Sequence, residues 1–344
     1  AFVLLDTMVQ RRTPDSKYVM GKGRLQQSVI RAMQLGAEVI VFDQNLSPAQ
    51  VKNLADLTDL KVLDRTQVIL DIFAQRAETR EGKLQVELAQ LRYLLPRLSA
   101  KHTALSRLTG GIGGRGPGET KLEIDRRRAS DRVAQLQREV AKLGERRRLR
   151  RSRREDKGLP TVAIVGYTNA GKSTLLNAFT YSEVTAKDAL FATLNPVSRR
   201  LRFPEEREVI ITDTVGFIRD LPSELMEAFK TTFEEIQPAD LILHVMDASN
   251  SECDERFATV KGLLTELELD GKPVINVLNK SDKTDTETMA ALVRKYEGIP
   301  VSALNTSTLE PLLHAMRSRL WASDREAAPS HDEQLREHAH EDVV

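Results

Sequence analysis

The sequence contains one cysteine, Cys253, in 344 residues. That excludes a disulfide framework and suits a reducing, intracellular compartment. Long hydrophobic runs are also missing. Val39–Phe42 and Leu241–Met246 are a handful of residues each, and the second contains His244. A membrane-spanning helix needs about 20 apolar residues, so none is expected. No signal-peptide pattern opens the chain. It begins at Ala1 rather than Met, and a further N-terminal segment is expected ahead of it. Net charge is scarce too, since 51 basic and 50 acidic side chains sum to +1. What is present suffices for real cores. Hydrophobic residues make up 40%, which excludes wholesale disorder. The length exceeds one ordinary domain and suggests two or three.

The near-neutral sum hides an uneven distribution. Lys121–Lys157 holds 15 basic and 7 acidic residues, a net of +8, so the remainder sums to −7. The tail Ala322–Val344 has 7 acidic and 2 basic residues. Six of the 18 glycines lie in Gly110–Gly118, the run GGIGGRGPG. A basic stretch beside a glycine-rich loop in a neutral chain reads as a local device.

Along the chain, residues 1–80 read as a small α/β unit. Glu38–Asp43 and Lys61–Asp64 are strand patterns. Ser47-Pro48 opens a helix, with serine as N-cap and proline in the first turn. Thr66–Ala77 is a helix, and Ala1–Leu5 has the pattern of one more strand. Residues 81–157 carry two heptad seams. Leu84, Leu88, Leu91, Leu95, Leu98 and Leu105 form the first, and Ala129, Val133, Leu136, Val140 and Leu143 the second. Only the glycine-rich run separates them, so an antiparallel helical hairpin with its tip at 110–118 is expected. Pro96 is expected to kink or interrupt the first helix. Gly158-Leu159-Pro160 marks a boundary. Residues 158–321 alternate strands and helices as in a doubly wound parallel sheet. Residues 322–344 read as an acidic disordered tail.

Chemistry concentrates in 158–321. The strand Thr161–Val165 runs into Gly166, Tyr167, Thr168, Asn169, Ala170, Gly171, Lys172, Ser173 and Thr174, and then a helix. This is G-x-x-x-x-G-K-[ST] in a strand–loop–helix context. Glycines let backbone N–H groups face phosphates at a helix N-terminus. Lys172 is placed to reach the β- and γ-phosphates, and Ser173 offers a hydroxyl to Mg²⁺. Val209–Thr212 ends in Asp213, Thr214, Val215 and Gly216. Here the aspartate can hold the metal through water, and the glycine N–H can meet the γ-phosphate. Val274–Leu278 runs into Asn279, Lys280, Ser281 and Asp282. The Asp282 carboxylate can accept from guanine N1–H and the 2-amino group together. Adenine lacks both donors, which costs a few kcal/mol. Asn279 and Lys280 would brace the loops and the base. Ser302, Ala303 and Leu304 can present backbone to guanine O6. In Phe191, Ala192, Thr193, Leu194 and Asn195, Thr193 can supply a hydroxyl to Mg²⁺ and an N–H to the γ-phosphate.

The set GYTNAGKST, FATL, DTVGF, NKSD and SAL resembles the Obg/HflX group of translation-factor-class GTPases. KYVMGKG (Lys17–Gly23), LSPAQ (Leu46–Gln50), DRTQVILDIFAQRA (Asp64–Ala77), EGKLQVELAQLRY (Glu81–Tyr93) and GGIGGRGPGETKLE (Gly110–Glu123) narrow the resemblance to HflX over about 1–320. It implies an α/β fold: a Ras-like G domain with a small N-terminal α/β subdomain and a long antiparallel helical hairpin. It further implies a monomeric, cytoplasmic GTPase with Mg²⁺, catalytic contacts from Lys172, Thr193 and Gly216, and no membrane span. Peripheral membrane association and an organellar setting stay open. The implied partner is the large ribosomal subunit and its rRNA near the peptidyl-transferase region, with roles in splitting stalled ribosomes or in subunit assembly. Asn195 departs from the aspartate common in the family, and no second P-loop is present.

Three features refine the expectation. Phe217 follows Gly216 where Ras-like enzymes place a water-orienting glutamine, so slow intrinsic hydrolysis, accelerated by the ribosome, is expected. Asn169 occupies a position that helps hold K⁺ in some related GTPases. Gly110, Gly111, Gly113, Gly114, Arg115, Gly116, Gly118, Arg126, Arg127 and Arg128 are the candidate RNA contacts. The rival reading is a nucleotide-switched RNA-binding or assembly module with negligible hydrolysis. A tRNA-modification GTPase would need a further domain that the sequence does not show.

Overall fold

A computed structural model describes residues 4–10, 14–58, 60–100, 121–155, 158–180, 196–203, 207–219, 222, 225–226, 233 and 236–322. These form two compact units, 1–146 with 222–228, and 147–221 with 229–344.

The first unit contains both the small α/β segment and the paired long helices. Helix α1 (Lys22–Gln34) precedes β1 (Val39–Phe42), α2 (Pro48–Thr58), β2 (Lys61–Asp64), α3 (Arg65–Arg76) and α4 (Arg80–Ala100). Strands β1 and β2 pair in parallel, Val39 opposite Lys61. Helix α2 starts with reciprocal bonds: Gln50 N donates to Ser47 Oγ (3.2 Å), and Ser47 N to Gln50 Oε1 (2.9 Å). Asp64 and Gln67 make the same capping box at α3. Asp64 is fully buried and also accepts the Tyr93 hydroxyl (2.6 Å) and Leu46 N (3.2 Å). One carboxylate thus ties β2, α3 and α4 together. The expected strand Ala1–Leu5 is not formed at Leu4 and Leu5, which are exposed coil, and residues 1–3 lie outside the described residues.

Helix α5 (Lys121–Glu155) runs antiparallel to α4, since Arg80 meets Glu139 and Glu87 meets Arg132. Leu84 and Leu88 pack with Leu136 and Val140, flanked by Leu91, Val133 and Leu143. Arg132 grips Glu87 in a two-pronged bond (2.7 and 2.9 Å), which sets the register. The interruption expected at Pro96 does not occur, because α4 continues through it to Ala100. Proline removes one N–H from the ladder. Around it, Arg97 donates to Tyr93 O (2.8 Å) and Leu46 O (2.8 Å), and stacks on the Tyr93 ring. These contacts hold the turn in place. The glycine-rich tip 110–118 lies outside the described residues.

The second unit is a six-stranded sheet covered by helices. Its elements are β3 (Thr161–Gly166), α6 (Lys172–Thr180), β4 (Val197–Arg202), β5 (Glu208–Asp213), β6 (Leu241–Asp247), α7 (Cys253–Glu266), β7 (Val274–Asn279), α8 (Thr286–Tyr296), β8 (Ile299–Pro300) and α9 (Glu310–Leu320). Strand order is β4-β5-β3-β6-β7-β8. The parallel pattern breaks at one edge, where β4 pairs antiparallel with β5. A short connection between sequential strands permits only that pairing. The central strands are buried on both faces by Ile164, Leu175, Ile211, Leu243, Val277 and Leu312, among others. Such strands read as continuous apolar runs. This packing puts the carboxyl ends of β3, β5, β6 and β7 along one edge, the usual place for a ligand in an open α/β sheet. Among the described residues, no helix is long and apolar enough to cross a membrane.

Candidate nucleotide site

Four strand ends converge. Gly166 ends β3, Asp213 ends β5, Asp247 ends β6 and Asn279 ends β7. The loop after β3 needs its glycines. Gly166 has φ +154, and a Cβ there would meet Val245 O at 2.3 Å. Gly171 has φ +92, and a Cβ there would meet Asn279 Nδ2 at 2.2 Å. Asn169 is also left-handed (φ 62) and exposed at the bend. Both glycines are therefore dictated by close approach as well as by backbone angle.

Lys172 opens α6 and is buried. Its Nζ donates to Gly166 O (3.1 Å) and Tyr167 O (3.0 Å). Burial pushes its pKa down to about 8, with the Asp213 charge opposing the fall. The next residue, Ser173, donates from Oγ to Asp213 Oδ2 (2.6 Å). A hydroxyl and a carboxylate in contact beside an ammonium are hard-oxygen donors of the kind Mg²⁺ takes together with substrate phosphates. The residues present therefore fit that ion. Thr174 continues α6, beyond the loop.

The segment after β5 folds back on the loop. Thr214 Oγ1 donates to Ile164 O (2.7 Å), and Val215 is buried. A Cβ on Gly216 would lie 2.9 Å from Lys172 Nζ and 3.0 Å from Thr168 Cα. Phe217 N donates to Gly166 O (3.1 Å), and Thr168 N to Phe217 O (2.7 Å). The Phe217 side chain is 1% exposed and packs on Phe233 at 5.7 Å between centroids.

Asn279 links the loops. Its Nδ2 donates to Ala170 O (2.8 Å), and its Oδ1 accepts from Ala303 N (3.0 Å). Lys280 is left-handed (φ 62), and its Nζ contacts Asp247 Oδ2 at 2.7 Å. Ser281 N donates to Val301 O (3.1 Å). Asp282 Oδ1 accepts from Ser302 Oγ (2.6 Å), a bond that holds the carboxyl below its ordinary pKa. Ser302 and Ala303 are buried, and Leu304 is 78% exposed.

The structure thus gathers 166–174, 213–216, 279–282 and 302–304 at one sheet edge. Phe191, Ala192, Thr193, Leu194 and Asn195 lie outside the described residues. Arg126, Arg127 and Arg128 lie exposed on α5 in the other unit. Sequence reasoning missed Asp247. Its signal was present, since an aspartate closes the buried run LILHVMD just as Asp213 closes VIITD.

Comparison with known proteins gives the family. Family models match residues 1–74 (GTP-binding GTPase N-terminal), 76–154 (GTP-binding GTPase Middle Region) and 161–280 (50S ribosome-binding GTPase). A curated GTPase HflX from Caldanaerobacter subterraneus subsp. tengcongensis is 47% identical over 304 residues, 88% of this chain and 70% of that protein. GTPase HflX from Escherichia coli K12 is 45% identical over 314 residues, 90% of this chain and 74% of that protein. The chain belongs to the GTPase HflX family. As an HflX-family member it binds guanine nucleotide and hydrolyses GTP. A GTP-binding protein from Sulfolobus solfataricus, solved with GDP, is 26% identical and covers 92% of this chain and 89% of its own, with a TM-score of 0.45.

Proposed function

We propose that this HflX-family GTPase works on the large ribosomal subunit, docking with GTP bound and leaving after hydrolysis. The observation that carries the hydrolytic half of the reading is Phe217. At the position where a glutamine would orient water, the ring is buried against Phe233 and offers no hydrogen bond. Hydrolysis by the isolated chain is then slow, and a partner group completes the site. The match of 161–280 to a model described as a 50S ribosome-binding GTPase supports the choice of partner. The exposed Arg126–Arg128 on α5 suit an RNA backbone. Splitting of stalled ribosomes and subunit assembly are both compatible with this cycle.

The residue roles follow from chemistry. Backbone N–H groups of 169–174 and the Lys172 ammonium hold the phosphates. Ser173, Thr193 and Asp213 (through water) hold Mg²⁺, which when bound neutralises charge on the phosphate oxygens. The Gly216 N–H meets the γ-phosphate. Asp282 reads the guanine donors, and Ser302, Ala303 and Leu304 frame O6. Asn169 is the residue through which K⁺ would act, and equal rates in K⁺ and Na⁺ at the same ionic strength would remove it from that role.

The test is GTP turnover with and without 50S subunits, paired with gradient sedimentation in GDP, GTP and GTPγS. Stimulation by 50S and retention with GTPγS are expected. Fast turnover unaffected by 50S would overturn the reading. Retention with GTP but no turnover even on the ribosome would favour an affinity switch with negligible hydrolysis.

A further inference from the structure

Tyr167 follows the first glycine of the phosphate loop, and its side chain gathers parts of the second unit that the nucleotide chemistry leaves unexplained. The phenol oxygen accepts the Arg219 backbone N–H at 3.0 Å. The Arg256 guanidinium of α7 covers the ring, 4.8 Å from its centroid. Arg256 is itself steadied by Glu252 one turn earlier (3.1 Å), and Arg219 reaches Glu255 at 3.5 Å. On the backbone side, residue 167 bridges in parallel with Phe217.

We infer that Tyr167 is a positioning residue for GTP hydrolysis: it clamps the 216–219 segment to the phosphate loop and to α7. The segment needs such a clamp. The Phe217 side chain spends itself in the apolar core, so main-chain bonds, Phe217 N to Gly166 O and Thr168 N to Phe217 O, attach it to the loop. Gly216 passes close to the loop, since a Cβ there would lie 2.9 Å from Lys172 Nζ and 3.0 Å from Thr168 Cα. A shift of a few tenths of an ångström there changes where the Gly216 N–H points, and donors aimed at developing charge lose effect steeply with misplacement. The phenol–amide bond fixes the segment two residues beyond the backbone pair, at Arg219. The guanidinium over the ring fixes the phenol in turn, so α7 can influence the phosphate site without touching nucleotide.

This rests on GTP hydrolysis as the chain's activity, for which the wild-type rate is the control. The test is Tyr167→Phe, which keeps the ring and removes the hydroxyl. Single-turnover hydrolysis at saturating GTP is compared with GDP affinity measured with a fluorescent GDP analogue. The rate constant is expected to fall about three- to tenfold, the worth of one hydrogen bond. GDP affinity should stay within about twofold of wild type. Arg256→Gln should lower the rate less, at unchanged GDP affinity, and the two changes together should be less than additive. A wild-type rate for Tyr167→Phe, or equal losses of rate and GDP affinity, overturns the inference. Should that variant fail to fold, Arg256→Gln alone carries the test, and an unchanged rate overturns it.

Discussion

Lys280 Nζ lies 2.7 Å from Asp247 Oδ2, joining the end of β7 to the end of β6. Both side chains are largely buried (21% and 10% exposed), so salt screens the pair weakly. Asp247 is itself anchored, since its Oδ1 accepts from Ser249 N (3.1 Å) and Ser249 Oγ (2.6 Å). The pair holds the long Lys280 side chain in one orientation, and if Lys280 braces the base as proposed, less freedom is lost on binding. Asp247→Asn should therefore weaken GDP binding about tenfold, or about 1.4 kcal/mol, with little change in thermal stability. Calorimetric titration checks this, and wild-type affinity in the variant would show that the Asp247–Lys280 pair does not contribute to nucleotide binding.

Gly171 is constrained twice, by φ +92 and by Asn279 Nδ2, which lies 2.2 Å from where an alanine methyl would stand. Gly171→Ala strains the loop and displaces the amide that joins Ala170 to Ala303. A loss of about 2–4 kcal/mol in urea unfolding is expected, together with loss of GDP binding. Retained GDP affinity would show that the loop can shift without cost.

Lys172 carries a buried ammonium, and burial lowers its pKa to about 8. The carbonyls it meets have other donors: Gly166 O accepts from Phe217 N, and Tyr167 O from Ala170 N. Lys172→Met should thus leave neither carbonyl without a bond and remove the cost of burying a charge. Without nucleotide the variant should melt at or above the wild-type temperature, while GDP no longer raises its melting point. A strongly lowered melting point would show that the ammonium holds the loop together.

His244 sits in the middle of β6, buried and stacked on Phe257 at 5.3 Å. Burial pushes its pKa down to about 4, with a hydrogen bond with Asn276 opposing the fall and the Lys172 charge adding to it. Between the ordinary value of 6.5 and about 4, the unfolded chain binds a proton that the folded chain refuses. Stability contributed by the neutral ring is whole above 6.5 and is lost as pH falls through that window, by up to about 1.4 kcal/mol per pH unit. Urea midpoints of wild type and His244→Leu, compared from pH 7.5 to 4.5, should diverge as pH falls, with the wild type losing more. Parallel curves would mean that the ring titrates normally.

Much of the fold was legible in the residues. The heptad positions Leu84, Leu88, Leu136 and Val140 meet as a seam because helical period alone decides which face is apolar. The caps at Ser47 and Asp64 are local chemistry. Pro96 does not end α4, because its effect depends on what packs around it, and the contact of Arg97 with Leu46 comes from tertiary structure. The antiparallel β4 was hidden because pairing direction is not written in a strand's own composition.

By itself the sequence determined the nucleotide chemistry: the order of the phosphate loop, Asp213–Gly216, Asn279–Asp282 and Ser302–Leu304 specifies which donors and acceptors are available, since each motif is contiguous and its chemistry local. Only the tertiary structure decided how they bear on one another. Asp247 reaches Lys280, Ser302 reaches Asp282, and Tyr167 reaches Arg219 and Arg256. Those contacts join residues far apart in the chain, so they exist only once parallel strands have aligned their carboxyl ends.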